Sequence, residues 1–489
     1  MSKRIIIITM VLLVMITVFG ALTAVAADPP VQASGASPFY VANCTADNDA
    51  GAQSGTNYPD TEVEPWVDIN PQNPQNIVGA WQQDRWSSGG ARGLVAGVST
   101  DGGTTWTQVV IPNITLCSGA TDYQRASDPW VTFDPDGNVY HVSLSFNDYN
   151  TTSAVLVNKS TDGGLKWEDP VTLLRDTATT VFNDKESITA DPNDSDYVYA
   201  IWDRLVFPTE KARGRSPERA LGYRGPTWFA RTTDGGDNWE DAHQIYDPGE
   251  VNQTIGNQIV VRPQGELINV FDLIYNFKNA HKVRGYNVAI LRSTDHGESW
   301  SSKAIIIDKL QSVGVTIPNT GEAVRTGDII PEIAVDHDNG NLYVVWQDAR
   351  FSGGDYDEVA FSMSSDGGST WSPTIRVNAS HGKAAFTPSV RVNNGKVGVT
   401  YYAFANGDGM TDYYLVTCSS HCDDPANWGN ETRVTNDSFD MTQAPNARGF
   451  FTGDYEGLTT DSTDFLTFFS MPHDDHGTDD GASVFFSRQ

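Results

Sequence analysis

Basic side chains are scarce in this chain of 489 residues: 32 lysines and arginines stand against 62 aspartates and glutamates, a formal net charge of -30. Nucleic-acid binding needs clustered lysine and arginine to meet phosphates, so the composition excludes a general nucleic-acid binder. Four cysteines are too few for a disulfide scaffold. The chain also lacks the Gly-x-Ser-x-Gly elbow, the Walker loop and the dinucleotide fingerprint. This excludes the classes of hydrolase, ATPase and dehydrogenase that carry these motifs.

Long apolar runs are missing after the N-terminus. A basic start, Lys3-Arg4, precedes an apolar stretch over residues 5–24, and small residues follow where a signal peptidase cleaves. We interpret residues 1–27 as a secretory signal, cleaved after Ala26 or Ala27, and predict a secreted protein. The alternative is an uncleaved membrane anchor, because a stretch of this length is able to span a bilayer. No other membrane insertion is expected.

Export permits disulfides, and four cysteines allow three pairings. Cys418 and Cys422 flank a tight turn and are placed to pair locally. Cys44 and Cys117 would then pair at long range and tie the N-terminal segment to the first repeat. Metal binding by these cysteines is the weaker interpretation, because no Cys-x-x-Cys motif is present.

One short motif recurs five times, and its first copy is Ser99-Thr100-Asp101-Gly102-Gly103-Thr104-Thr105-Trp106. The aspartates of the five copies are Asp101, Asp162, Asp234, Asp295 and Asp366. The carboxylate is able to accept backbone N–H groups across a turn, and glycine supplies positive φ. The tryptophan is large enough to pack between neighbouring sheets. We interpret each copy as a structural lock on a β-hairpin.

A second motif recurs out of phase with the first: an apolar strand, a turn rich in Asp, Asn, Pro and Gly, and another apolar strand. Its seven copies start near Val67, Val131, Ile188, Ile259, Ile333, Val390 and Leu458. Period-2 alternation and closely spaced turns predict an all-β fold. The segment 418–428 stands where the sixth repeat needs its lock, with a disulfide in place of the glycine turn.

These repeats predict a seven-bladed β-propeller of four-stranded antiparallel blades, with six blades as the alternative if the last copy is not a blade. The last repeat has three strands, so its fourth is expected from the N-terminus, near residues 39–41. Such a strand would close the ring and remove exposed sheet edges. The expected division is a signal over 1–27, an N-terminal extension with the ring-closing strand over 28–60, and the propeller over 61–489.

The lock resembles the Asp-box, or BNR repeat, and the chain resembles the sialidase superfamily of Asp-box propellers over nearly all of its length after the signal. Such propellers include sialidases, other glycosidases, assembly factors and receptors, so the resemblance implies architecture more than activity. The Phe/Tyr-Arg-Ile-Pro motif of sialidases is absent, and the nearest segment of the first repeat is Glu64-Pro65-Trp66-Val67. The resemblance also implies a tyrosine nucleophile with a glutamate partner. Tyr455 and Glu456 have these residue types, although neighbouring side chains on a strand point to opposite faces.

Three of the repeats' second strands end in an aspartate followed closely by an arginine. These residues are Asp84 and Arg85, Asp203 and Arg204, and Asp348 and Arg350. If the three arginines converge over the central channel, they bind a carboxylate or sulfate bidentately. The alternative is an inherited structural pair, in which each aspartate pins its own loop.

Two loops on the same face carry much of the basic charge. Residues 204–224 hold six basic against two acidic side chains, and the matching loop of the fourth repeat holds Lys278, His281, Lys282 and Arg284. A basic sector in an acidic protein favours an anionic ligand such as an acidic or sulfated glycan, and a solvated, salt-bridged loop is the alternative.

Carboxylates also crowd this face, and a glycosidase needs two of them about 5 to 9 Å apart. The candidates are Glu64, Asp128, Glu186, Asp328, Glu332, Asp454 and Glu456. From this set, Asp128 and Glu456 with Tyr455 are the candidate catalytic residues. A ring of repeats that presents acids at equivalent positions would look the same without catalysis.

No metal site is predicted. His473-Asp474-Asp475-His476 with Asp479 and Asp480 lacks the calcium-loop spacing and the His-Glu-x-x-His pattern, so a polar loop is the preferred interpretation. No cofactor is expected, and calcium is left open without a motif. The sequence thus favours a secreted, sialidase-like glycoside hydrolase acting on extracellular, anionic glycans. The alternatives are a non-catalytic propeller that binds a glycan or a protein at the cell surface, and a polysaccharide lyase. The oligomeric state is not predicted.

Overall fold

The structure, a computed structural model, describes residues 29–209, 224–276, 285–379, 382–473 and 481–489. Nearly all of its elements are β-strands, which confirms the predicted all-β class. The α-helices in these ranges are single turns, α1 (Pro38–Val41) and α2 (Ala46–Asp49). Short 3-10 turns lie at Leu116–Ser118, Ala349–Ser352, Pro425–Asn427 and Met441–Gln443. The described part of the chain contains no helix long and apolar enough to cross a membrane. The predicted signal lies outside the described residues.

After the N-terminal strand β1 (Val31–Gln32), consecutive strands pair antiparallel in sets of four, which we number as sheets in chain order. Sheet 1 holds β2 (Glu62–Ile69), β3 (Ile77–Arg85), β4 (Ala91–Ser99) and β5 (Thr107–Val110). Sheet 2 holds β6 (Arg125–Phe133), β7 (Val139–Phe146), β8 (Ser153–Ser160) and β9 (Val171–Asp176). Sheet 3 holds β10 (Val181–Ala190), β11 (Val198–Val206), β12 (Thr227–Thr232) and β13 (His243–Tyr246). Sheet 4 holds β14 (Gln253–Val261), β15 (Leu267–Ile274), β16 (Asn287–Ser293) and β17 (Ile305–Lys309).

An insertion separates sheet 4 from sheet 5. It forms β18 (Val315–Thr316) and β19 (Ala323–Arg325), and β19 pairs in parallel with β29 (Phe450–Phe451) to make a small three-stranded sheet. Sheet 5 holds β20 (Glu332–Val335), β21 (Leu342–Asp348), β22 (Glu358–Ser364) and β23 (Ile375–Arg376). Sheet 6 holds β24 (Ala385–Asn393), β25 (Lys396–Phe404), β26 (Met410–Cys418) and β27 (Gly429–Arg433), with the short β28 (Phe439–Asp440) beside β26. Sheet 7 holds β30 (Gly457–Thr460), β31 (Phe465–His473), β32 (Gly481–Arg488) and β1.

The first strands of successive sheets contact one another, and the first strand of sheet 7 contacts that of sheet 1. The second strands fully bury large side chains between sheets, among them Trp81, Trp202 and Trp346. Burial of this apolar surface between neighbouring sheets supplies the main stabilisation of the array.

The N-terminal strand lies earlier than predicted. Val31 pairs with Phe486 on β32, whereas residues 39–41 belong to α1 and do not pair with sheet 7. Pro38 stands at the start of α1, and Ser37 Oγ accepts a hydrogen bond from Tyr40 N at 3.2 Å. A capping serine followed by proline favours the start of a helix over a strand, which explains why the expected position was wrong.

The Asp-boxes join third to fourth strands and share one hydrogen-bond pattern. In the first copy, Ser99 Oγ donates to Asp101 Oδ1 at 2.9 Å and accepts from Gly103 N at 2.8 Å. The same oxygen of Asp101 accepts from Thr105 N at 2.9 Å. Equivalent bonds recur at Asp162, Asp234, Asp295 and Asp366. Each carboxylate therefore takes up the backbone donors that the turn leaves without partners.

The lock tryptophans pack against the preceding sheet. Trp106 of sheet 1 lies 5.3 Å from Phe486 of sheet 7, measured between ring centroids. In sheet 6, Cys418 and Cys422 are joined by a disulfide, and Trp428 donates to the carbonyl of Cys422 at 2.8 Å. The sixth turn thus keeps the tryptophan and replaces the glycine turn by a covalent link. A second disulfide, Cys44–Cys117, ties the N-terminal segment to the connection that follows sheet 1.

We expect the locks to tolerate no side chain at their second glycine. A Cβ on Gly103, where φ is 94°, would lie 2.0 Å from the buried ring of Phe486. Gly103→Ala should therefore lower the free energy of unfolding by about 3 kcal/mol, since it adds an overlap to an unfavourable backbone angle. Gly353→Ala is the control: φ is 76°, and no atom lies within 4 Å of the added Cβ. There we expect a loss of about 1 kcal/mol. Equal losses in urea unfolding would contradict the packing argument.

Candidate functional site

The inner strands are interrupted at equivalent places by a bulge. Pairing of the first strand with the second shifts register after Val63, Ser127, Asp184, Ile255 and Phe386. The next residue in each case has a left-handed backbone, with φ of 52° at Glu64, 50° at Asp128, 53° at Lys185, 71° at Gly256 and 50° at Thr387. Left-handed angles are unfavourable for residues other than glycine and persist where the surroundings enforce them. Bulges of this kind re-aim side chains.

Three of these bulge residues, from three different sheets, meet at one point. Lys185 Nζ lies 2.9 Å from Asp128 Oδ1 and 3.3 Å from Glu64 Oε1. It also lies 2.7 Å from Asp454 Oδ2, in the segment that precedes sheet 7. Arg325, on β19, binds the same aspartate, with Nε 2.9 Å from Asp454 Oδ1. We call Glu64, Asp128, Lys185, Arg325 and Asp454 the central charge cluster.

Buried neighbours hold the cluster in place. Gln82 Nε2 donates to Glu64 Oε2 and to Ser127 Oγ, and Gln82 Oε1 accepts from Arg85 Nη1 at 2.5 Å. The ring of Phe451 lies between two guanidinium groups, 4.8 Å from Arg85 and 4.4 Å from Arg325. Cation–π contacts of this kind stabilise desolvated guanidinium groups. The second strand of sheet 1 and the small sheet thereby fix opposite sides of the cluster.

The cluster separates the proton affinities of its carboxyls. Burial raises the pKa of Glu64 to about 8, against the opposing charge of Lys185. Burial likewise raises the pKa of Asp128. Burial acts on Asp454 in the same direction, but Arg325 and Lys185 outweigh it and hold the pKa of Asp454 well below its usual range. Paired acids whose pKa values are pushed apart are typical of acid–base catalysis.

The cluster opens into a cavity of about 490 Å³. Asp128, Lys185, Arg325 and Asp454 line it, together with Asp184, Asp328 and Arg448. More than half of the lining residues come from segment 313–330, which carries the small-sheet strands β18 and β19. A concave site with convergent polar groups and shifted pKa values is the usual form of a ligand site.

An aromatic group lies beneath the cluster and holds Tyr455. Trp66 and Trp130 stack with ring centroids 3.3 Å apart, and Tyr455 packs edge-on to Trp130 at 5.2 Å. The Tyr455 hydroxyl donates to the carbonyl of Pro129 at 3.2 Å, and burial raises the pKa of Tyr455 well above its usual value. The structure therefore gives Tyr455 the surroundings of a packed, neutral phenol and not those of a nucleophile.

Glu456 makes no hydrogen bond or ion pair with the central charge cluster among the described contacts. Its Oε2 accepts from the backbone N–H of Ser470 at 3.0 Å, and burial raises its pKa well above the usual value. Glu186, the neighbour of Lys185, is also buried, and neither of its carboxylate oxygens has a hydrogen-bond partner among the described residues. Glu332 pairs with Arg391 at 2.8 Å. The structure thus brings Asp128 together with Glu64 and Asp454, but not with Glu456.

The three candidate arginines bind different partners. Arg204 pairs with Asp176 at 2.7 Å, and Arg350 pairs with Asp348 at 2.8 Å. Arg85 is fully buried behind the central charge cluster. No two of the three share a partner in the contacts described here, an arrangement that agrees with structural pairs and not with one convergent anion site.

The aspartates that precede these three arginines also make structural contacts. Asp203 Oδ2 accepts from the backbone N–H of Gly256, at the bulge of sheet 4, at 2.9 Å. Asp84 Oδ1 accepts from Asp60 N at 2.9 Å. Asp348 Oδ1 accepts from Arg350 N at 2.9 Å. Each aspartate therefore holds a loop or a neighbouring sheet.

Several sequence candidates lie outside the described residues. They are the basic residues within 210–223 and 277–284, and Asp474, Asp475, His476, Asp479 and Asp480. At the edges of these gaps, Arg224 pairs with Asp247, and His473 Nε2 lies 2.6 Å from Ser483 Oγ. Within the described ranges, Cys44, Asp47 and Cys117 have metal-ligand spacing, but the two sulfurs are joined to each other.

Sequence reasoning missed Lys185 and Arg325. Lys185 stands three residues before the repeat marker Ile188, as Glu64 and Asp128 do before Val67 and Val131. Aligning the repeats on these markers would have placed it in the site. Arg325 lies in the insertion between sheets 4 and 5, so no repeat register gives its position.

Residues 226–448 match the family model of the BNR repeat-like domain. A curated sialidase from Bacteroides fragilis (strain YCH46) is 23% identical over 307 residues, covering 56% of this chain and 47% of that protein. The chain thus spans about half the length of this relative. These matches confirm the resemblance to Asp-box propellers of the sialidase superfamily that the sequence indicated.

Solved structures with a similar fold have low identity. A Hadza microbial sialidase is 13% identical, with 70% of this chain and 63% of that chain covered and a TM-score of 0.43. An α-L-arabinofuranosidase from Fusarium graminearum is 10% identical, with 89% and 95% covered and a TM-score of 0.44. Similarity this low gives no information about which side chains act.

Replacing the buried lysine should destabilise the fold in a pH-dependent way. Lys185→Met removes the cation that opposes the raised pKa of Glu64 and Asp128, so both pKa values rise further. A carboxyl with a raised folded pKa contributes stability at low pH that is lost as pH rises. We expect a loss of about 4 kcal/mol at pH 8 and a smaller loss at pH 5.

Chemical unfolding at both pH values measures this difference. Arg204→Met is the matched control, because its partner Asp176 lies outside the cluster. We expect a loss of about 1 kcal/mol there at both pH values. A Lys185→Met deficit that is the same at pH 5 and pH 8 would show that the carboxyls do not depend on this lysine.

Proposed function

We propose that this chain is a secreted, seven-bladed BNR-repeat propeller that hydrolyses extracellular, anionic glycans at the central charge cluster. One observation carries the proposal: Asp128 and Asp454 line the same cavity, and their pKa values are shifted in opposite directions. Glycoside hydrolysis requires such a pair, one carboxyl protonated and one ionised.

Support for seven blades comes from the sheets themselves. Sheets 1 to 7 each contain four strands in sequence, with β28 added to sheet 6; their first strands contact one another in turn, and the first strand of sheet 7 contacts that of sheet 1. β1 adds the fourth strand to sheet 7, so the two ends of the chain meet in one blade. In this arrangement residues 61–489 form the propeller, and 28–60 form the extension that closes it.

Spacing within the cluster supports a retaining mechanism. Asp128 Oδ1 and Asp454 Oδ2 lie 2.9 Å and 2.7 Å from Lys185 Nζ, which puts the two oxygens no more than 5.6 Å apart. Retaining glycosidases have carboxyl groups about 5 to 5.5 Å apart, and inverting enzymes about 6.5 to 9.5 Å.

The roles follow from the protonation states. Asp128, whose pKa burial raises, is the acid that gives its proton to the glycosidic oxygen as the bond to the leaving group breaks. Asp454, kept ionised by Arg325 and Lys185, attacks the anomeric carbon. Asp128 then takes a proton from the water that hydrolyses the glycosyl intermediate. Glu64, with a pKa of about 8, stays protonated at neutral pH and limits the negative charge around Asp454.

The preference for anionic glycans rests on the cations at the cavity. Arg325 and Arg448 line it. The sequences of the loops in the third and fourth repeats contain further basic residues. Guanidinium groups bind carboxylates and sulfates bidentately.

A hydrolysis screen of the purified protein tests the proposal, with sialosides, uronate polymers, sulfated glycans, arabinans and neutral β-glucans as substrates. Asp128→Asn and Asp454→Asn should each lower kcat on the active substrate by about 1000-fold. Asp176→Asn, which alters an ion pair away from the cavity, should leave kcat within about twofold. The rate should fall as pH rises through the raised pKa of Asp128, because the acid then loses its proton. Equal effects of all three substitutions would refute the assignment.

The second candidate is a non-catalytic binding propeller. It is favoured by the separate ion pairs of Arg204 with Asp176 and of Arg350 with Asp348. Binding of an anionic glycan without turnover, weakened in Arg448→Ala and unchanged in Asp128→Asn, would establish this function. If no glycan is bound or hydrolysed, the partner to test next is a protein.

A further inference from the structure

One wall of the cavity is a loop closed at its base. Segment 313–327 leaves sheet 4, forms the β18–β19 hairpin and returns toward sheet 5. It supplies most of one side of the cavity and carries Arg325 to Asp454. We call it the wall segment. Any change that loosens it alters both the shape of the cavity and the ion pair at Asp454.

Three side chains fasten the base of the wall segment, and we call them the clasp. Ser312 Oγ, before the segment, lies 2.6 Å from Asp328 Oδ2, after it. The same hydroxyl oxygen lies 2.7 Å from Asp357 Oδ2, in the connection between β21 and β22 of sheet 5. Asp357 Oδ1 also accepts from Val313 N at 2.8 Å. The clasp therefore joins both ends of the wall segment to sheet 5.

The clasp contains one hydrogen too few if both aspartates are ionised. A serine hydroxyl donates one hydrogen bond, and an ionised carboxylate donates none. Ser312 Oγ lies within hydrogen-bond distance of two carboxylate oxygens, so one of the two contacts needs a proton from a carboxyl. Ser312 Oγ also accepts from Gly314 N at 3.0 Å, which provides no further donor toward either aspartate.

We propose that Asp328 and Asp357 share one proton through Ser312, and that this proton fastens the wall segment in acid and releases it when it is lost at higher pH. The two carboxyls then titrate as a unit. Burial raises the pKa of Asp357 to about 6, which sets the range in which the release occurs. A carboxyl with a raised folded pKa contributes stability below its pKa and loses it as pH rises through that value.

Two cations, Arg325 and Arg448, line the cavity beside Asp328, and Arg325 binds Asp454. Asp272 and Tyr286 face Asp328 from sheet 4, and Asp272 carries a strongly raised pKa of its own because of burial. From sheet 5, Asp348 accepts from Gln311 N at 3.2 Å, and its charge is bound by Arg350. Gln347 Nε2 donates to Asp357 Oδ2 at 3.1 Å and is neutral at all pH values.

Hydrogen–deuterium exchange of the intact protein tests the clasp without any substrate. After correction for the intrinsic pH dependence of exchange, we expect protection of amides in 313–327 to fall at least tenfold between pH 5 and pH 8. Asp328→Asn should abolish this fall, because its amide N–H replaces the acid proton at every pH. Ser312→Ala should give low protection at both pH values. Asp408→Asn, an exposed turn residue in sheet 6, is the control and should behave like the parent.

The outcomes separate this proposal from the proposed hydrolysis, on which it rests only for its effect on activity. If the wall segment exchanges equally at both pH values in the parent, or if Asp328→Asn keeps the fall, the shared proton is refuted whatever the protein hydrolyses. If Asp328→Asn does not fold, which thermal unfolding reveals, Asp357→Asn replaces it, because its amide N–H likewise supplies a hydrogen at every pH. A fall that Asp328→Asn removes supports the clasp even when no glycan is turned over.

Discussion

The structure depends on one largely buried ammonium group that three carboxyl groups surround. Glu64, Asp128 and Lys185 belong to sheets 1, 2 and 3, and Asp454 precedes sheet 7. Desolvation of each charge costs several kcal/mol, and only close pairing offsets that cost. The inner strands of three sheets and the segment that precedes sheet 7 must therefore meet within hydrogen-bond distance of one nitrogen. That requirement explains why Glu64, Asp128 and Lys185 keep left-handed backbones that are otherwise unfavourable.

Two of the equivalent bulges, at Gly256 and Thr387, are held from the neighbouring sheet. Asp203 on β11 accepts from the N–H of Gly256 in sheet 4, and Gln347 on β21 accepts from the N–H of Thr387 in sheet 6 at 2.9 Å. Polar side chains on second strands thus satisfy the backbone donors that a bulge frees. Such residues resemble ligand-binding groups in the sequence, because both roles need a polar side chain at the end of an apolar strand.

The sequence predicted the local turns, but it did not predict which side chains from distant segments meet in the central charge cluster. The Asp-boxes and strand starts follow from residue types within a few positions of each other, so the all-β class and the strand order were predictable. Lys185 occupies a predictable position, but its charge differs from that of Glu64 and Asp128, so it was not recognised as part of the same set. Arg325 comes from an insertion without repeat register. The two-residue strand β1 is too short to leave an alternating pattern.

The aromatic group beneath the cluster accounts for the chemistry above it. Trp66 and Trp130 line a second cavity of about 530 Å³ toward the Asp-box face, and the ring centroid of Tyr455, packed against them, lies 5.8 Å from Lys185 Nζ. Water that reached the cluster from below would stabilise ionised carboxyls and lower the pKa of Glu64 and Asp128. The closed floor keeps the surroundings apolar, so burial dominates both pKa values. Tyr455, whose residue type first marked it as a nucleophile, therefore acts on the site by excluding solvent from it.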